Sequence, residues 1–295
     1  MRILVRWQRR GGQSVVVTIK YFSPAPALRQ YVSSYYWFET DVPFLDLLRA
    51  ELGQLRFRVE GSSCFRFADG IARDCPAAML TGPTVSPVEF STTGPLKAFG
   101  AGLLPAGWAA LIGADADVHA DGCVDFAAFE PAATDACLGA MCTAADDAAR
   151  VAAADGFFAT LASRARAVPL WFTRLADDWL TASPSPQVDA LVAASRLCPR
   201  QVERLSRRIY GASPKLLARK YRALQAAVRL GNGDAHGWAD AAGDAFYDQS
   251  HFIREFKAFV GMTPHRFAHE AAPLSHLTMA RRRLLPGLPR LALIS

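Results

Sequence analysis

Two segments of this 295-residue chain repeat each other at an offset of fifty residues: VERLSRRIYGASPK, starting at Val202, and FIREFKAFVGMTPH, starting at Phe252. Arg204 aligns with Arg254, Arg207 with Lys257, Gly211 with Gly261, Ser213 with Thr263 and Pro214 with Pro264. At 100° per residue, Val202, Leu205 and Ile209 fall within a sector of about 60°, while Arg200, Arg204, Arg207 and Arg208 share a separate sector of about 100° with Glu203 beside them. The second segment repeats this with a stripe of Phe252, Phe256, Phe259 and Val260 opposite Ser250, His251, Arg254 and Lys257. A cationic helix face of this kind suits the major groove of a duplex. There, Arg bonds bidentately to guanine, Gln or His reaches other base edges, and flanking Lys or Arg contacts phosphate.

The elements that must hold these faces follow from the same residues. Gly ends a helix in a left-handed turn, and Ser or Thr caps the next helix, whose first residue is Pro. Each segment therefore predicts helix, tight turn, helix. A connecting helix over Pro214–Leu230, carrying Lys215, Arg219, Lys220 and Arg222, would set two such units to enter successive grooves about 34 Å apart. Upstream, Trp171 to about Leu180 and Gln187–Ser195 are expected helices, separated by the turn Ser183-Pro-Ser-Pro186.

Composition narrows the remaining choices. The net charge is +6, and its distribution decides more than its size. From Tyr21 to Leu170 there are ten Lys/Arg against seventeen Asp/Glu, whereas Arg196 to Arg229 holds ten basic residues and one acid, Glu203. No run of eighteen uncharged apolar residues occurs, and the opening MRILVRWQRRGG carries four arginines where an export signal needs an apolar core. The expected setting is therefore cytoplasmic and away from membranes. Six scattered cysteines without a CxxC pair fit reduced thiols.

Between Tyr21 and about Phe129, short alternating runs such as Gln54–Val59 and Cys64–Phe67 are separated by turn signals at Ala68-Asp-Gly70 and Thr81-Gly-Pro83. They predict an antiparallel β-rich domain. Ala132–Arg166 is alanine-rich at helical spacing, with Leu138, Met141, Ala145, Ala148 and Val151 on one side. Packing of this segment on its own β-domain is favoured over pairing with a second copy. No enzyme is expected, since GxSxG, Walker A and complete GxGxxG motifs are absent and Gly100-Ala-Gly102 alone is too short to hold a nucleotide. No metal or other cofactor is expected either. His119 stands as a single histidine among Asp115, Asp117 and Asp121, and HRFAHE around His265 and His269 lacks the HExxH order of a zinc hydrolase.

The C-terminal region resembles the AraC/XylS family of transcription regulators. The resemblance is carried by Tyr247-Asp-Gln-Ser-His-Phe-Ile-Arg-Glu-Phe-Lys-Ala-Phe-Val-Gly-Met-Thr-Pro264, by Cys198-Pro-Arg-Gln-Val-Glu-Arg-Leu205 and by Gly211-Ala-Ser-Pro-Lys215. It implies base-reading roles for Arg200, Glu203 and Arg204 in the first recognition helix and for Gln249, Ser250, His251 and Arg254 in the second. Phosphate contacts then fall to Arg207, Arg208, Lys215 and Lys257. A looser likeness at Tyr21–Val32 and Phe99–Trp108 implies a cupin-like N-terminal domain that binds an effector or a partner subunit. Double-stranded DNA is the implied partner, and RNA polymerase, an unidentified small-molecule effector and a second copy of the chain are further partners the resemblance admits.

Some positions depart from the family pattern. Ser206 replaces a buried aromatic, Cys198 replaces the usual Ser cap, Ala245 stands where a turn Gly would take positive φ, and Asp240 lies near an apolar position. If Ser206 is buried, its hydroxyl needs a bond of its own, with Leu205 rotating inward to restore contact. These departures leave an alternative: a helix-turn-helix-derived interaction adaptor without specific DNA binding. The expected organisation is a basic, disordered arm over 1–20 and a β-rich sensor or dimerisation domain over 21–168, with a helical connection from about 131. A double helix-turn-helix domain over 169–271 and a disordered tail over 272–295 follow.

Overall fold

The computed structural model describes residues 2–8, 14–235 and 237–270, then 274, 278, 281, 285 and 287–295. Eleven strands are formed among them: β1 (Arg2–Gln8), β2 (Ser14–Phe22), β3 (Val32–Thr40), β4 (Phe44–Leu48), β5 (Gln54–Gly61), β6 (Cys64–Arg66), β7 (Ala72–Asp74), β8 (Ala78–Thr81), β9 (Val88–Thr92), β10 (Leu96–Leu103) and β11 (Cys123–Asp125). They build an antiparallel seven-stranded sheet in the order β1-β2-β3-β10-β5-β8-β11 and a four-stranded sheet in the order β4-β9-β6-β7. The central strands β3-β10-β5-β8 facing β4-β9-β6-β7 give the double-sheet jelly roll of cupin-like domains. Phe38 of β3, Met79 of β8, Phe65 of β6 and Phe90 of β9 meet in one apolar cluster between the sheets.

The large sheet is buried on its other face as well. Tyr35 and Trp37 of β3, Phe57 of β5 and Phe99 of β10 pack against Met141 of α2 (Pro131–Thr143) and Phe157, Phe158 and Leu161 of α3 (Asp147–Ser163). The alanine-rich segment thus packs on its own sheet, in two helices rather than one. Gly100 sits opposite Tyr36 in the β3–β10 register, and a side chain there would overlap the Tyr36 ring. Its glycine therefore serves strand packing.

The disordered arm expected at the N-terminus is corrected: β1 pairs with β2, and β2 with β3. Val17, Ile19 and Tyr21 alternate inward to the inter-sheet core, the period-2 signal of a strand half-hidden by the basic residues around it. The disordered tail is corrected likewise where it is described. Leu274 lies in the inter-sheet core, and Leu291 and Ala292 are buried in the helical part. Residues 1, 9–13, 236, 271–273, 275–277, 279–280, 282–284 and 286 lie outside the described residues.

Helices follow the β-rich part. A short α1 (Pro105–Gly107) lies before α2, and after α3 come α4 (Leu170–Ala182), α5 (Val188–Ser195), α6 (Pro199–Tyr210), α7 (Pro214–Asn232), α8 (Trp238–Ala242), α9 (Gln249–Val260), α10 (Pro264–Glu270) and α11 (Arg290–Ile294). Phe172 and Leu180 of α4, Leu191 of α5, Val202 and Ile209 of α6 and Tyr221 of α7 form one core. Leu224 and Ala227 of α7 join Phe252, Phe256 and Val260 of α9 and Phe267 of α10 in the next. α7 is thus the shared wall of two helical units. None of the described helices is long and apolar enough to cross a membrane.

Candidate nucleic-acid interface

The first unit is α5, a turn and α6. Arg196 closes α5 in the left-handed region at φ 55°, and the Cys198 backbone N–H donates to Gln201 Oε1 at 3.1 Å. Gln201 thereby secures the start of α6. The second unit is α8, a turn and α9, whose N-terminus is capped by Asp248 accepting from the His251 backbone N–H at 2.7 Å. Gly211 and Gly261 end α6 and α9 at φ 79° and 90°. Ser213 and Thr263 then accept from the N–H groups of Leu216 at 3.4 Å and Arg266 at 3.3 Å. The repeated Gly–x–Ser/Thr–Pro is the stop-and-start device that its residue types require.

On α6, Val202 and Ile209 are buried and Leu205 is half-buried against the same core. Arg200, Glu203, Arg204, Arg207 and Arg208 are exposed. Arg207 spends its charge locally, with Nη2 3.0 Å from Glu203 Oε1 one helical turn back. Arg208 turns to the loop after α1 instead, its Nε 3.3 Å from Asp115 Oδ1 while its backbone carbonyl accepts from the Ala116 N–H. On α9, Gln249, Ser250, Arg254 and Lys257 are exposed. His251 is half-buried, with its ring centroid 5.8 Å from that of Phe246.

The linking helix is less cationic toward solvent than its sequence suggests. Lys215 is exposed. Arg219 makes a bidentate pair with Glu255 of α9, Nε to Oε2 at 2.9 Å and Nη2 to Oε1 at 2.7 Å. Although burial pushes the Glu255 carboxyl up, the bonds from Arg219 hold it below the usual range. Lys220 is 1% exposed and donates to the Glu51 carbonyl at 2.9 Å; burial pushes its ammonium down to about 8. Arg222 donates to the Ala245 carbonyl at 2.9 Å. These three cations fix α7 to its neighbours. The sequence signal for the first is Glu255, an acid on the otherwise apolar buried side of α9.

The departures also have particular outcomes. Ser206 is 1% exposed and its Oγ has no hydrogen-bond partner, so the bond that a buried hydroxyl there needs is not made. Ala245 does not take positive φ; Gly243, two residues earlier, does so at 49°. Asp240 causes no misfit, being exposed and accepting from Arg229 Nη2 at 3.2 Å. His119 lies between the rings of Trp108 and Phe129, at centroid distances of 5.9 and 6.1 Å. Among the described residues no group of three His, Cys, Asp or Glu side chains is arranged to hold a metal ion.

Residues 191–270 match the family model of a helix-turn-helix domain. Among solved structures, ToxT from Vibrio cholerae O395 is 9% identical, covering 85% of this chain and 96% of that one with a TM-score of 0.46. ToxT from Vibrio cholerae strain SCE256, solved with an unsaturated fatty acid, is 8% identical, covering 88% and 96% with a TM-score of 0.45. A putative ethanolamine utilization protein Q from Salmonella typhimurium LT2 is 15% identical, covering 35% of this chain and 95% of that one with a TM-score of 0.25. No curated protein is matched.

Proposed function

We propose that the helix-turn-helix domain matched over residues 191–270 is of the AraC type and that the protein is a cytoplasmic, sequence-specific transcription regulator that reads two successive major grooves. The carrying observation is that α6 and α9 each present exposed arginines, Arg200 and Arg204 on one and Arg254 on the other, for which no carboxylate partner is described. A desolvated guanidinium that meets guanine O6 and N7 discriminates that base, whereas one already paired to a carboxylate must first break its ion pair. Arg200, Glu203 and Arg204 are the base-reading set of the first helix, and Gln249, Ser250, His251 and Arg254 that of the second. Arg207, Lys215 and Lys257 contact phosphate, and Arg208 joins them once released from Asp115.

The rigid coupling through α7 supports tandem reading, since Arg219–Glu255 ties α9 to α7 while Leu217 and Tyr221 of α7 share the core of α6. Selection of bound duplexes from a random pool tests the reading directly. Two half-sites with centres roughly 10 bp apart are expected. Recovery of a single short site, or of no preferred sequence, would count against it. An effector acting on the β-rich part would reach the reading heads through their C-terminal ends, where Ala50 donates to the Phe259 carbonyl and Ala116 to that of Arg208, both at 2.8 Å.

A further inference from the structure

The two sheets leave a cavity of about 100 Å³ between them, with Ile19, Phe38, Phe65, Met79, Phe90 and Leu96 among its apolar walls. Four arginines also line it. Arg58 donates from Nη1 to the Gly61 carbonyl at 2.6 Å, toward solvent, and leaves its Nε without a partner. Arg56 is fully committed, donating to Tyr36 Oη at 2.8 Å, Thr81 Oγ1 at 2.7 Å and Glu51 Oε1 at 2.7 Å. Arg49 is not. It is 4% exposed, its Nη1 donates to Thr278 Oγ1 at 2.9 Å, and its Nε has no partner. The nearby carboxylate of Glu51 already belongs to Arg56. Arg281, 7% exposed, donates from Nη2 to the main-chain oxygens of Ala292 and Ser295 and likewise has an unpartnered Nε.

Burial, followed by repulsion from Arg281, pushes the Arg49 guanidinium down to about 10, which leaves it charged at neutral pH. A buried cation without a counter-charge is costly, and no carboxylate among the described residues pairs with either side chain. An anion entering the cavity would relieve both. The space limits what that anion carries, because an engineered apolar cavity of roughly 150 Å³ takes up benzene and little more.

We propose that the inter-sheet cavity binds a small organic anion, a carboxylate or phosphate monoester on an apolar body of about six carbons, with its head held between Arg49 and Arg281. The two arginines come from opposite ends of the chain. Arg49 follows β4, whereas Arg281, with Thr278 and Leu274, belongs to the segment after the second helix-turn-helix unit. That segment is anchored to the reading domain at Ser295, whose Oγ lies 2.9 Å from Tyr221 Oη of α7, and to the β-rich part at the Leu274 N–H, which donates to Asp46 Oδ2 at 2.7 Å. A bound anion therefore fastens the C-terminal segment across the two parts. This regulatory consequence rests on the transcription-regulator reading; the binding itself does not.

Calorimetric titration of the full chain with hexanoate, hexyl phosphate, hexan-1-ol and oleate tests the site. Hexanoate or hexyl phosphate should bind, with hexan-1-ol at least tenfold weaker. Arg49→Gln and Arg281→Gln should each weaken the anion at least tenfold, Arg49→Lys should retain it within a few-fold, and Arg174→Ala should leave it unchanged. Thermal melts of each variant identify losses caused by unfolding. Equal binding of alcohol and anion, no binding of either six-carbon anion, indifference to both Gln variants, or binding of oleate alone would overturn the proposal. Duplex binding by the same unliganded protein is measured alongside. Its absence overturns the regulator reading and leaves the anion result standing, so the two failures are distinguishable.

Discussion

Arg204 and Lys215 are both exposed cations one unit apart, yet their positions give them different work. In the proposed docking Arg204, exposed in the middle of α6, meets a base edge, and Arg204→Ala should cost about 1–3 kcal/mol of binding and relax preference at one base pair. Lys215 lies in the first turn of α7, where the proposed docking sets it beside phosphate. Lys215→Ala should weaken all sequences alike and reduce the salt slope by about 1. Equal losses on specific and random duplexes for both variants would show that Arg204 does not read a base. Ser206 makes a separate prediction about stability. Its buried hydroxyl has no partner, and an unsatisfied group of that kind costs about 1–3 kcal/mol. Ser206→Ala should raise the melting temperature, by about 1 kcal/mol in stability; a fall would mean that the hydroxyl is bonded in solution.

The helix ends carry the next level of specification. Gly211, Gly233 and Gly261 all close helices in the left-handed region, but their surroundings differ. A Cβ at Gly233 would meet nothing within 4 Å, whereas at Gly261 it would press on Leu47 and come within 3.0 Å of Pro87 Cβ. Gly233→Ala should therefore cost only the backbone term, about 1–2 kcal/mol. Gly261→Ala should cost clearly more, because the β-rich part packs on that turn. Equal losses in a denaturant series would show that the contact contributes nothing. Between α4 and α6, the Tyr210 hydroxyl donates to Asp177 Oδ1 at 2.6 Å, and burial pushes the Asp177 carboxyl up to about 7 despite that bond. The folded chain thus holds this proton more tightly than the unfolded chain does. Its contribution is fully present below the ordinary carboxylate range and is lost as pH rises toward about 7. Asp177→Asn should flatten stability over that interval, measured as melting temperature against pH.

Across the whole molecule, the β-rich part packs on the C-terminal ends of α6 and α9 and leaves their N-terminal turns exposed. Pro83, Ala116 and Ala120 surround Gly211, and Leu47 and Pro87 surround Gly261. Under the proposed function, this arrangement would give an event between the sheets a mechanical route to both helices. The Asp115–Arg208 pair, at 3.3 Å and exposed on both sides, is the electrostatic part of the same contact. Asp115→Asn should free Arg208 for phosphate, strengthen duplex binding severalfold at low salt and steepen the salt dependence by about one counterion. An unchanged slope would leave Arg208 outside the interface.

Residue types and spacing determined the two helix-turn-helix units, because glycine, capping hydroxyl, proline and an amphipathic arginine face each encode local geometry that needs no distant partner. The alternation of β5 and β6 was equally legible, as was the helical alanine-rich segment. Tertiary structure alone decided which cations remain available: Arg219, Lys220 and Arg222 look alike in the helical sequence, yet Glu255, the Glu51 carbonyl and the Ala245 carbonyl claim them. It also decided that the two ends of the chain join the core. Their apolar residues are interrupted by arginines, prolines and glycines, and partners that hold the C-terminal end, such as Asp46 and Tyr221, lie dozens to hundreds of residues away, where no local pattern can announce the contact.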